Sequence, residues 1–431
     1  MVNDIRRNVE IKSPRSKARE KNITLRSARA VVVVIDGFGI GEMPDVQHMR
    51  PEDVGANTAK HVAEKVGGLT LPVLESLGLG NIAQNVEGLS PMKKPLGSYG
   101  TSMLKHSGAD TYLGHQELMG TLPKEPITQL LSTVSIELET AITKKGHKVI
   151  HPFVGKPLLL IDDKVVVGDN LESDPGRIIN LTAPLDHISF HETLAIGEIV
   201  REIVKVIRVI VLGSTGYGVH TILQHVEARP SGQIGVNSPA LGVYNKNYMA
   251  KNLGYQLNVD KQIPTILTRT GYDVTLIGKV AEIVRCENAV YLPETAMNKV
   301  FANLFASLDT AKPGLIAANI QETDLAGHEG NPQKFANALQ EIDRQLPELL
   351  NKLMDDDVLV ITADHGNDSS VGSGKQTREI VPLLVYGKKL RQAHLGVRST
   401  LADIAATISD IFKVSPPESG MSFYSRLLKL Q

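Results

Sequence analysis

The sequence predicts an α/β fold built around a doubly wound sheet. Two observations carry this prediction: β-branched runs recur along the chain, and a helical pattern lies between two of them. Because the chain has 431 residues, which exceeds the usual length of one folding unit, a second domain is also expected.

The predicted core strands are apolar runs that stop at glycine or polar residues. The first, at 31–35, contains only Val and Ile, which is typical of a strand buried on both faces. Comparable runs lie at 273–277, 314–320 and 357–362. A helix is predicted from Asn57 or Thr58 to Val66. A second is predicted between the last two runs, from Phe335 to Leu353, with Pro347 expected to kink or divide it.

Three parts are expected along the chain. Residues 1–28 form a basic arm that we expect to be disordered. Residues 29–121 and 260–431 are expected to form the α/β core, and residues 122–259 an inserted α+β cap. Within the insert, the apolar pattern from Glu192 to Ile210 begins as a helix, and its last residues fit a strand equally well.

Composition excludes several classes of protein. Lys and Arg number 46 against 47 Asp and Glu, so a strongly basic nucleic-acid surface is not indicated. The single cysteine, Cys286, excludes an internal disulfide framework and a multi-cysteine zinc site. Charged residues interrupt the most apolar stretch, at 196–212, so neither a transmembrane helix nor a membrane partner is expected. The chain also shows no secretory signal, and a cytoplasmic location is therefore expected.

Polar residues that suit a metal site gather where the predicted strands end. Asp36 follows the first strand, Asp324 and His328 follow another, and Asp364 with His365 follow a third. Ligands bind at the carboxyl ends of strands in open α/β sheets. A single such residue is more often a helix cap or a turn former, but three strand ends together predict a site for Zn or Mn.

A longer motif makes the prediction more specific. Residues 107–120 read Ser-Gly-Ala-Asp-Thr-Tyr-Leu-Gly-His-Gln-Glu-Leu-Met-Gly and resemble the nucleophile loop of phosphopentomutases, members of the alkaline phosphatase superfamily. Further matches occur in the same order, and the resemblance covers most of residues 30–121 and 260–425. Those matching segments lie at 35–41, 71–82, 362–368 and 377–382. The resemblance implies an alkaline-phosphatase-like doubly wound sheet with an inserted cap.

The resemblance also implies roles for individual residues. Thr111 stands at the position of the phosphorylated nucleophile. Asp36, Asp364 and His365 fall on ligands of a site for two divalent metal ions, with Mn²⁺ expected and Zn²⁺ or Mg²⁺ as alternatives. Metal coordination lowers the pKa of a threonine hydroxyl, which is otherwise a poor nucleophile.

The second metal position departs from the family. Asp324 and His328 are assigned to it, but Gln376 stands where the family has a metal-binding histidine. A neutral amide is a poorer ligand for Mn or Zn than imidazole. This site is therefore expected to bind weakly, to recruit another ligand or to be empty.

The cap departs furthest from the family pattern. Arg229 keeps a family arginine and is expected to bind the phosphate that is not transferred. Of the segments with which the family grips a pentose phosphate, the one at 181–186 has lost its carboxylate or moved it to Asp186, and the one at 237–242 contains no Arg or His.

The leading functional hypothesis is a metal-dependent phosphomutase that moves phosphate within a pentose-like sugar phosphate through phospho-Thr111. The expected partners are a small phosphorylated metabolite and a sugar bisphosphate activator. A metal-dependent phosphatase on the same scaffold is the first alternative, and a non-catalytic phosphometabolite-binding protein is the second.

Overall fold

The structure is a computed structural model that describes residues 28–122, 126–173, 175–244, 247–255, 257–309, 312–371 and 376–429. The expectation of a disordered basic arm at 1–28 thus falls outside the described residues, apart from Ala28. None of the helices in these ranges has the length and hydrophobicity that a membrane span requires.

The strands of the described chain form two main sheets and one two-stranded ribbon. Their bounds are β1 Arg29–Ile35, β2 Ser98–Ser102, β3 Val149–Ile150, β4 Leu159–Ile161, β5 Val165–Asp169, β6 Ile178–Pro184, β7 Arg208–Ser214, β8 Val226–Ala228, β9 Ile234–Val236, β10 Met249–Gly254, β11 Asp273–Ile277, β12 Val290–Leu292, β13 Gly314–Ile320, β14 Val358–Thr362, β15 Val381–Tyr386 and β16 His394–Arg398.

Helices connect and cover these strands. Their bounds are α1 Val46–Met49, α2 Thr58–Val66, α3 Pro72–Leu77, α4 Thr111–Leu118, α5 Leu131–Lys144, α6 Phe190–Ile203, α7 Val219–Gln224, α8 Ser238–Leu241, α9 Ile263–Arg269, α10 Lys279–Ile283, α11 Met297–Asp309, α12 Glu322–His328, α13 Pro332–Lys352, α14 Ala402–Phe412 and α15 Tyr424–Leu427.

The larger sheet places the predicted strand ends side by side. Its order is β12-β11-β13-β1-β14-β15-β2-β16. Strand β1 lies between β13 and β14 and is parallel to both, and β11 is parallel to β13. Every residue of β1, β13 and β14 is buried, which explains their uninterrupted apolar sequences. The carboxyl ends of three neighbouring strands therefore meet at one edge.

The second sheet is built from strands within residues 149–254, in the order β10-β7-β6-β5-β4-β3. Its strand pairs are antiparallel except for β6 with β7. Helices α5 and α6 pack on one face around their own buried apolar cluster. These elements all fall within the segment predicted to be inserted, whereas the exact domain boundaries stay a prediction.

The α/β fold class is confirmed, and two local expectations are resolved. The pattern at 192–210 contains a helix followed by a strand, α6 and β7. Helix α13 runs without a break through Pro347, so the predicted division does not occur. The buried side chains of Leu346 and Leu349 on both sides of Pro347 explain this continuity, because packing of the apolar face offsets the missing backbone hydrogen bond.

A buried ion pair connects Arg29, the first residue of β1, with Asp357, the residue before β14. The backbone amide of Arg29 donates to Asp357 Oδ1 at 2.9 Å, and its Nε donates to Oδ2 at 3.0 Å. Both side chains are at most 1% exposed. The neighbouring Asp356 instead forms an exposed pair with Lys389.

Replacing Asp357 by Ala should lower the free energy of unfolding by about 3–5 kcal/mol, because it leaves the guanidinium of Arg29 buried without its counter-charge. Urea denaturation measures this change. Asp356→Ala is the matched control and should cost about 1 kcal/mol or less. Equal losses in the two variants would contradict the role assigned to the buried pair.

Candidate metal centre and nucleophile loop

Three carboxylates and one imidazole lie together at the carboxyl edge of the larger sheet. Asp36 directly follows β1, Asp324 lies in α12 just after β13, and Asp364 follows β14 by one residue. His365 comes next in the chain. All four side chains belong to buried residues. The parallel pairing of β1 with β13 and β14 therefore brings these four side chains together.

Two buried ligand-type atoms in this cluster, Asp36 Oδ1 and His365 Nε2, make no hydrogen bond of good geometry among the described residues. They lie 3.4 Å from each other, and His365 Nε2 lies 3.2 Å from Asp364 Oδ2. The other atoms of these side chains are engaged. Asp36 Oδ2 accepts from Lys279 Nζ at 2.8 Å and from Asn319 Nδ2 at 3.1 Å. His365 Nδ1 donates to the carbonyl of Gly366 at 2.9 Å, which leaves Nε2 with a lone pair when the ring is neutral.

The three carboxylates lie in different electrostatic environments. Burial opposes ionisation of each, but Lys279 lowers the pKa of Asp324 and His365 lowers that of Asp364, and both end below their ordinary values. Burial raises the pKa of Asp36 above its ordinary value, and the negative charge of Asp364 raises it further. A divalent cation would relieve both effects, since it replaces lost hydration and offsets the repulsion between carboxylates.

Thr111 begins α4 and contacts the cluster directly. Its Oγ1 donates to Asp364 Oδ2 at 2.6 Å. Asp110 caps the helix by accepting from the amide of Leu113 at 3.0 Å. One turn later, His115 Nδ1 donates to the carbonyl of Thr111 at 2.8 Å. The hydroxyl is thus held against the cluster by a capped helix and a carboxylate.

Close packing of α4 depends on a glycine. A Cβ on Gly114 would lie 2.7 Å from the carbonyl oxygen of Asp364, which is too close for any other residue. On the same helix, His115 Nε2 accepts from Asn319 Nδ2 at 3.2 Å, and Asn319 also donates to Asp36. Helix α4 and the candidate metal cluster are therefore linked through one asparagine.

The residues assigned to a second metal are arranged differently. His328 Nε2 lies 3.4 Å from Asp324 Oδ2, and the His328 side chain is 43% exposed. Asp324 Oδ1 accepts from Asn367 Nδ2 at 2.8 Å. Gln376 Oε1 accepts from the backbone amide of Thr111 at 3.4 Å. Gln376 thus contacts the first residue of α4, whereas His328 lies at the solvent-exposed edge of the cluster.

The donor set of the cluster fits a divalent metal. Asp36, Asp324 and His365 each offer a ligand atom, and these atoms lie within 4.8 Å of one another. Asp364 lies beside these atoms, and its Oδ2 accepts a hydrogen bond from the hydroxyl of Thr111. Carboxylate oxygens with one imidazole suit Mn or Zn. Asp324 belongs to this same group of atoms, and its assignment to the second metal position stays a prediction.

Lys279 is a charged member of the cluster that the sequence analysis missed. Its Nζ lies 2.8 Å from Asp36 Oδ2 and 3.2 Å from Asp324 Oδ2. A sequence signal was present, because Lys279 closely follows the predicted strand at 273–277. The search for strand-end carboxylates and imidazoles passed over a strand-end lysine. His115 and Asn319 were likewise not assigned contacts with the cluster.

A cleft of about 370 Å³ opens beside the cluster. Residues of the second sheet and of loops around the cluster line it, among them Arg50, Arg177 and Arg208. The guanidinium carbon of Arg208 lies 5.6 Å from the centroid of the Tyr112 ring. Burial raises the pKa of Asp110, but the charge of Arg208 and other nearby groups outweigh it, and the net shift is downward. The cleft therefore presents positive charge next to the nucleophile loop.

Arg229 is not among the described residues that line this cleft. It follows β8, its side chain is 44% exposed, and its Nη2 lies 2.9 Å from Glu227. Its assignment to the substrate stays a prediction.

Comparison with known proteins agrees with this geometry. The family model of the Metalloenzyme superfamily matches residues 28–416. A phosphopentomutase from Alkaliphilus oremlandii is 30% identical over 406 residues, which cover 93% of this chain and 99% of that protein. A phosphopentomutase from Caldanaerobacter subterraneus subsp. tengcongensis is 32% identical over 414 residues, 93% of this chain and 98% of that protein.

Similarity to solved structures extends to a phosphoglycerate mutase from Leishmania mexicana. It covers 93% of this chain and 98% of that chain, with a TM-score of 0.47 and 12% identity.

The match along most of the chain defines a metalloenzyme that uses divalent metal. More particularly, the chain belongs to the phosphopentomutase-like members of the alkaline phosphatase superfamily, which confirms the family resemblance of its motifs.

A buried carboxylate outside the cluster fixes the base of the nucleophile loop. Glu117 accepts from the amides of Lys105, His106 and Leu401 and from Thr400 Oγ1, and it contacts His106 Nδ1 at 2.7 Å. Burial alone would raise the pKa of Glu117, but its contacts with His106 and the other donors lower it below its ordinary value.

Because this pKa is lowered on folding, the stabilisation is present above the unfolded pKa of about 4.5 and is lost as the pH falls through the folded value. Glu117→Gln should lower the free energy of unfolding at neutral pH by about 2 kcal/mol. It should also flatten the loss of stability below about pH 4.5. Urea denaturation across pH measures both effects, and the control Glu348→Gln, at an exposed position, should leave them unchanged. An unaltered acid profile in Glu117→Gln would contradict the assignment.

Proposed function

We propose that this protein is a metal-dependent phosphomutase that moves phosphate within a small sugar phosphate through phospho-Thr111. One observation carries the proposal: Thr111 Oγ1 donates to Asp364 beside two buried ligand atoms, Asp36 Oδ1 and His365 Nε2, that make no hydrogen bond of good geometry among the described residues. The two relatives named phosphopentomutase, which match almost end to end, support the pentose phosphate class.

In this proposal, Asp36, Asp364 and His365 hold the cation. A bound divalent ion would lower the pKa of the adjacent hydroxyl and offset charge on a phosphoryl group. Asp364 orients the hydroxyl of Thr111 and is the nearest acceptor for its hydrogen. Thr111 is also the first residue of α4, where the helix dipole favours the negative charge of a phosphorylated side chain.

The arginines of the cleft support an anionic substrate. Arg177 and Arg208 line the same cavity as Asp110 and Gln376, so a phosphate or a sugar hydroxyl bound there would lie near Thr111. Guanidinium groups suit phosphate because their planar donors match its oxygens.

Three finer points belong to the same proposal. Mn²⁺ is the working ion, since carboxylates with a single imidazole suit a hard to intermediate cation. A sugar bisphosphate primes the enzyme by phosphorylating Thr111. The reaction runs in the cytoplasm, where a phosphorylated metabolite is retained by its charge.

Thr111→Val should abolish the phosphoenzyme, because it removes the only proposed acceptor while keeping the size of the side chain. Intact-mass spectrometry after incubation with Mn²⁺ and a sugar bisphosphate measures the added phosphoryl group. Thr111→Ser retains a hydroxyl and is the matched control, so it should still be phosphorylated. A phosphoryl group on the Thr111→Val protein would contradict the assignment.

Arg208→Met should raise KM for a sugar phosphate by about tenfold or more and change kcat less, because it removes a charge-assisted contact that forms on binding. Arg229→Met is the informative comparison, since the sequence assigned the substrate phosphate to Arg229. Steady-state kinetics of both variants decides between them. A large rise in KM for Arg229→Met alone would restore the original assignment.

A further inference from the structure

A second cavity, of about 310 Å³, lies where helix α4 meets helix α6 and the end of β10. Tyr112 and Gln116 of α4 line it, together with Arg201 of α6 and Gly254 of β10. It shares no described lining residue with the cleft beside the metal cluster. The reaction proposed above therefore leaves this α4–α6 cavity without a role.

Arg285 brings an uncompensated charge to the α4–α6 cavity. It follows α10, lines the cavity and makes no hydrogen bond or ion pair with any described residue. Its side chain is partly exposed, but its Nε is buried. A buried charged donor without a partner is unfavourable, because its lost hydration is not replaced. An anion in the cavity would supply the missing partner.

Arg201 is held in a fixed position with one donor unused. Its Nη1 donates to the carbonyls of Val206 at 3.0 Å and Leu253 at 3.2 Å, and its Nη2 donates to that of Val204. Its guanidinium carbon lies 5.3 Å from the centroid of the Tyr255 ring. Its Nε is buried and has no hydrogen-bond partner among the described residues. Burial lowers the pKa of Arg201 to about 10, and neighbouring tyrosines offset only part of this effect.

The acidic residues of the α4–α6 cavity leave both guanidinium groups unpaired. Glu198 and Glu202 also line it, but both are exposed. Neither forms an ion pair with either arginine among the described residues, and Glu202 instead lies 4.0 Å from Lys145. Water and salt screen exposed charges, whereas buried groups are poorly screened. The buried charge of the cavity is therefore positive.

The two arginines act on the residue that follows Thr111. Tyr112 lies in the wall of the cavity, and burial raises the pKa of its phenol. The charges of Arg208, Arg285 and Arg201 each oppose this increase, so three guanidinium groups lie around one ring. Helix α6, which carries Arg201, packs on the second sheet, whereas Arg285 belongs to the core. An anion bound by both would therefore connect the two parts of the chain beside Tyr112.

A phosphate group suits this arrangement better than a carboxylate. One guanidinium matches the two oxygens of a carboxylate, whereas a tetrahedral phosphate has enough oxygens to accept from two arginines at once. The cavity has the volume of about ten water molecules, which leaves room for a small organic group beside the phosphate.

We propose that the α4–α6 cavity is a second phosphate site, in which Arg201 and Arg285 bind inorganic phosphate or a small phosphate monoester. This inference goes beyond the function proposed above and does not depend on it.

Isothermal titration calorimetry tests the site in a protein whose cleft has been weakened. Full-length Arg208→Met protein in a chelator is titrated with inorganic phosphate, so that neither the cleft arginine nor a metal ion contributes to binding. We expect one phosphate per chain. The same titration with glycerol 3-phosphate distinguishes the sources, because tighter binding of the monoester identifies an organic phosphate and tighter binding of phosphate identifies the free ion. Absence of binding by both, or equally tight binding of acetate, would overturn the inference.

Removal of Arg285 assigns the bound phosphate to the cavity. Arg285→Met, added to Arg208→Met, should weaken phosphate binding by about tenfold or more, because it removes a charge-assisted contact. Arg285→Lys keeps the charge and should retain part of the affinity. The matched control is Arg269→Met, at an exposed arginine outside the cavity that pairs with Asp260 at 2.7 Å, and it should leave the affinity unchanged. Unchanged affinity in Arg285→Met would overturn the inference and place the phosphate in the cleft.

Thermal unfolding separates ligand binding from a structural role of Arg285. Without phosphate, the Arg208→Met, Arg285→Met double variant should unfold at the same temperature as Arg208→Met or higher, because it lacks a charge that has no partner. Phosphate should raise the unfolding temperature of Arg208→Met but not that of the double variant. A lower unfolding temperature of the double variant, with no effect of phosphate on either protein, would overturn the inference, because Arg285 would then serve the fold alone.

Discussion

The concentration of buried negative charge at one edge of the larger sheet is the constraint on which the site depends. Asp36, Asp324 and Asp364 are brought together because β1 lies between β13 and β14 in parallel register. Burying three carboxylates in contact is unfavourable unless positive charge or hydrogen bonds compensate for lost hydration. Lys279 and Asn319 supply part of this compensation. Asp36 Oδ1 and His365 Nε2, which make no hydrogen bond of good geometry among the described residues, mark where a metal would supply the rest.

The structure around the cluster holds the hydroxyl of Thr111 against the buried carboxylate of Asp364. Helix α4 approaches Asp364 closely because Gly114 has no side chain, and Thr111 stands at its first turn. Glu117 holds the other end of the same helix to the loop at 105–106 and to residues 400–401. Arg208, which begins β7 of the second sheet, faces the cleft beside this helix. The core thus supplies the candidate metal ligands and the hydroxyl of Thr111, while the second sheet contributes positive charge to the cleft.

Much of this arrangement could be predicted from the sequence, because buried parallel strands are uninterrupted apolar runs and their ends carry the polar residues. The runs that became β1, β11, β13 and β14 located the edge of the sheet on which Asp36, Asp324, Asp364 and His365 meet. Local patterns could not show which strands are neighbours. The contact of Lys279 with two carboxylates depends on β11 pairing with β13, which is a long-range fact.

The cap was harder to predict for a related reason. Arg229 matched a family motif in sequence, but its position depends on the β8–β9 ribbon, where it pairs with Glu227. Arg177 and Arg208 belong to no motif, and only the folded second sheet brings them to the cleft. Gln376 was recognised as a departure from the family. Its contact with the amide of Thr111, however, depends on how the segment after His365 returns to the nucleophile loop.

The most direct test of the central claim is phosphorus NMR of the protein with Mn²⁺, ribose 1-phosphate and a catalytic amount of a sugar bisphosphate. The account predicts that the ribose 5-phosphate signal grows while that of ribose 1-phosphate declines, with little free phosphate. Release of free phosphate without ribose 5-phosphate would contradict it, because the protein would then hydrolyse the phosphate ester rather than transfer its phosphoryl group back to the sugar.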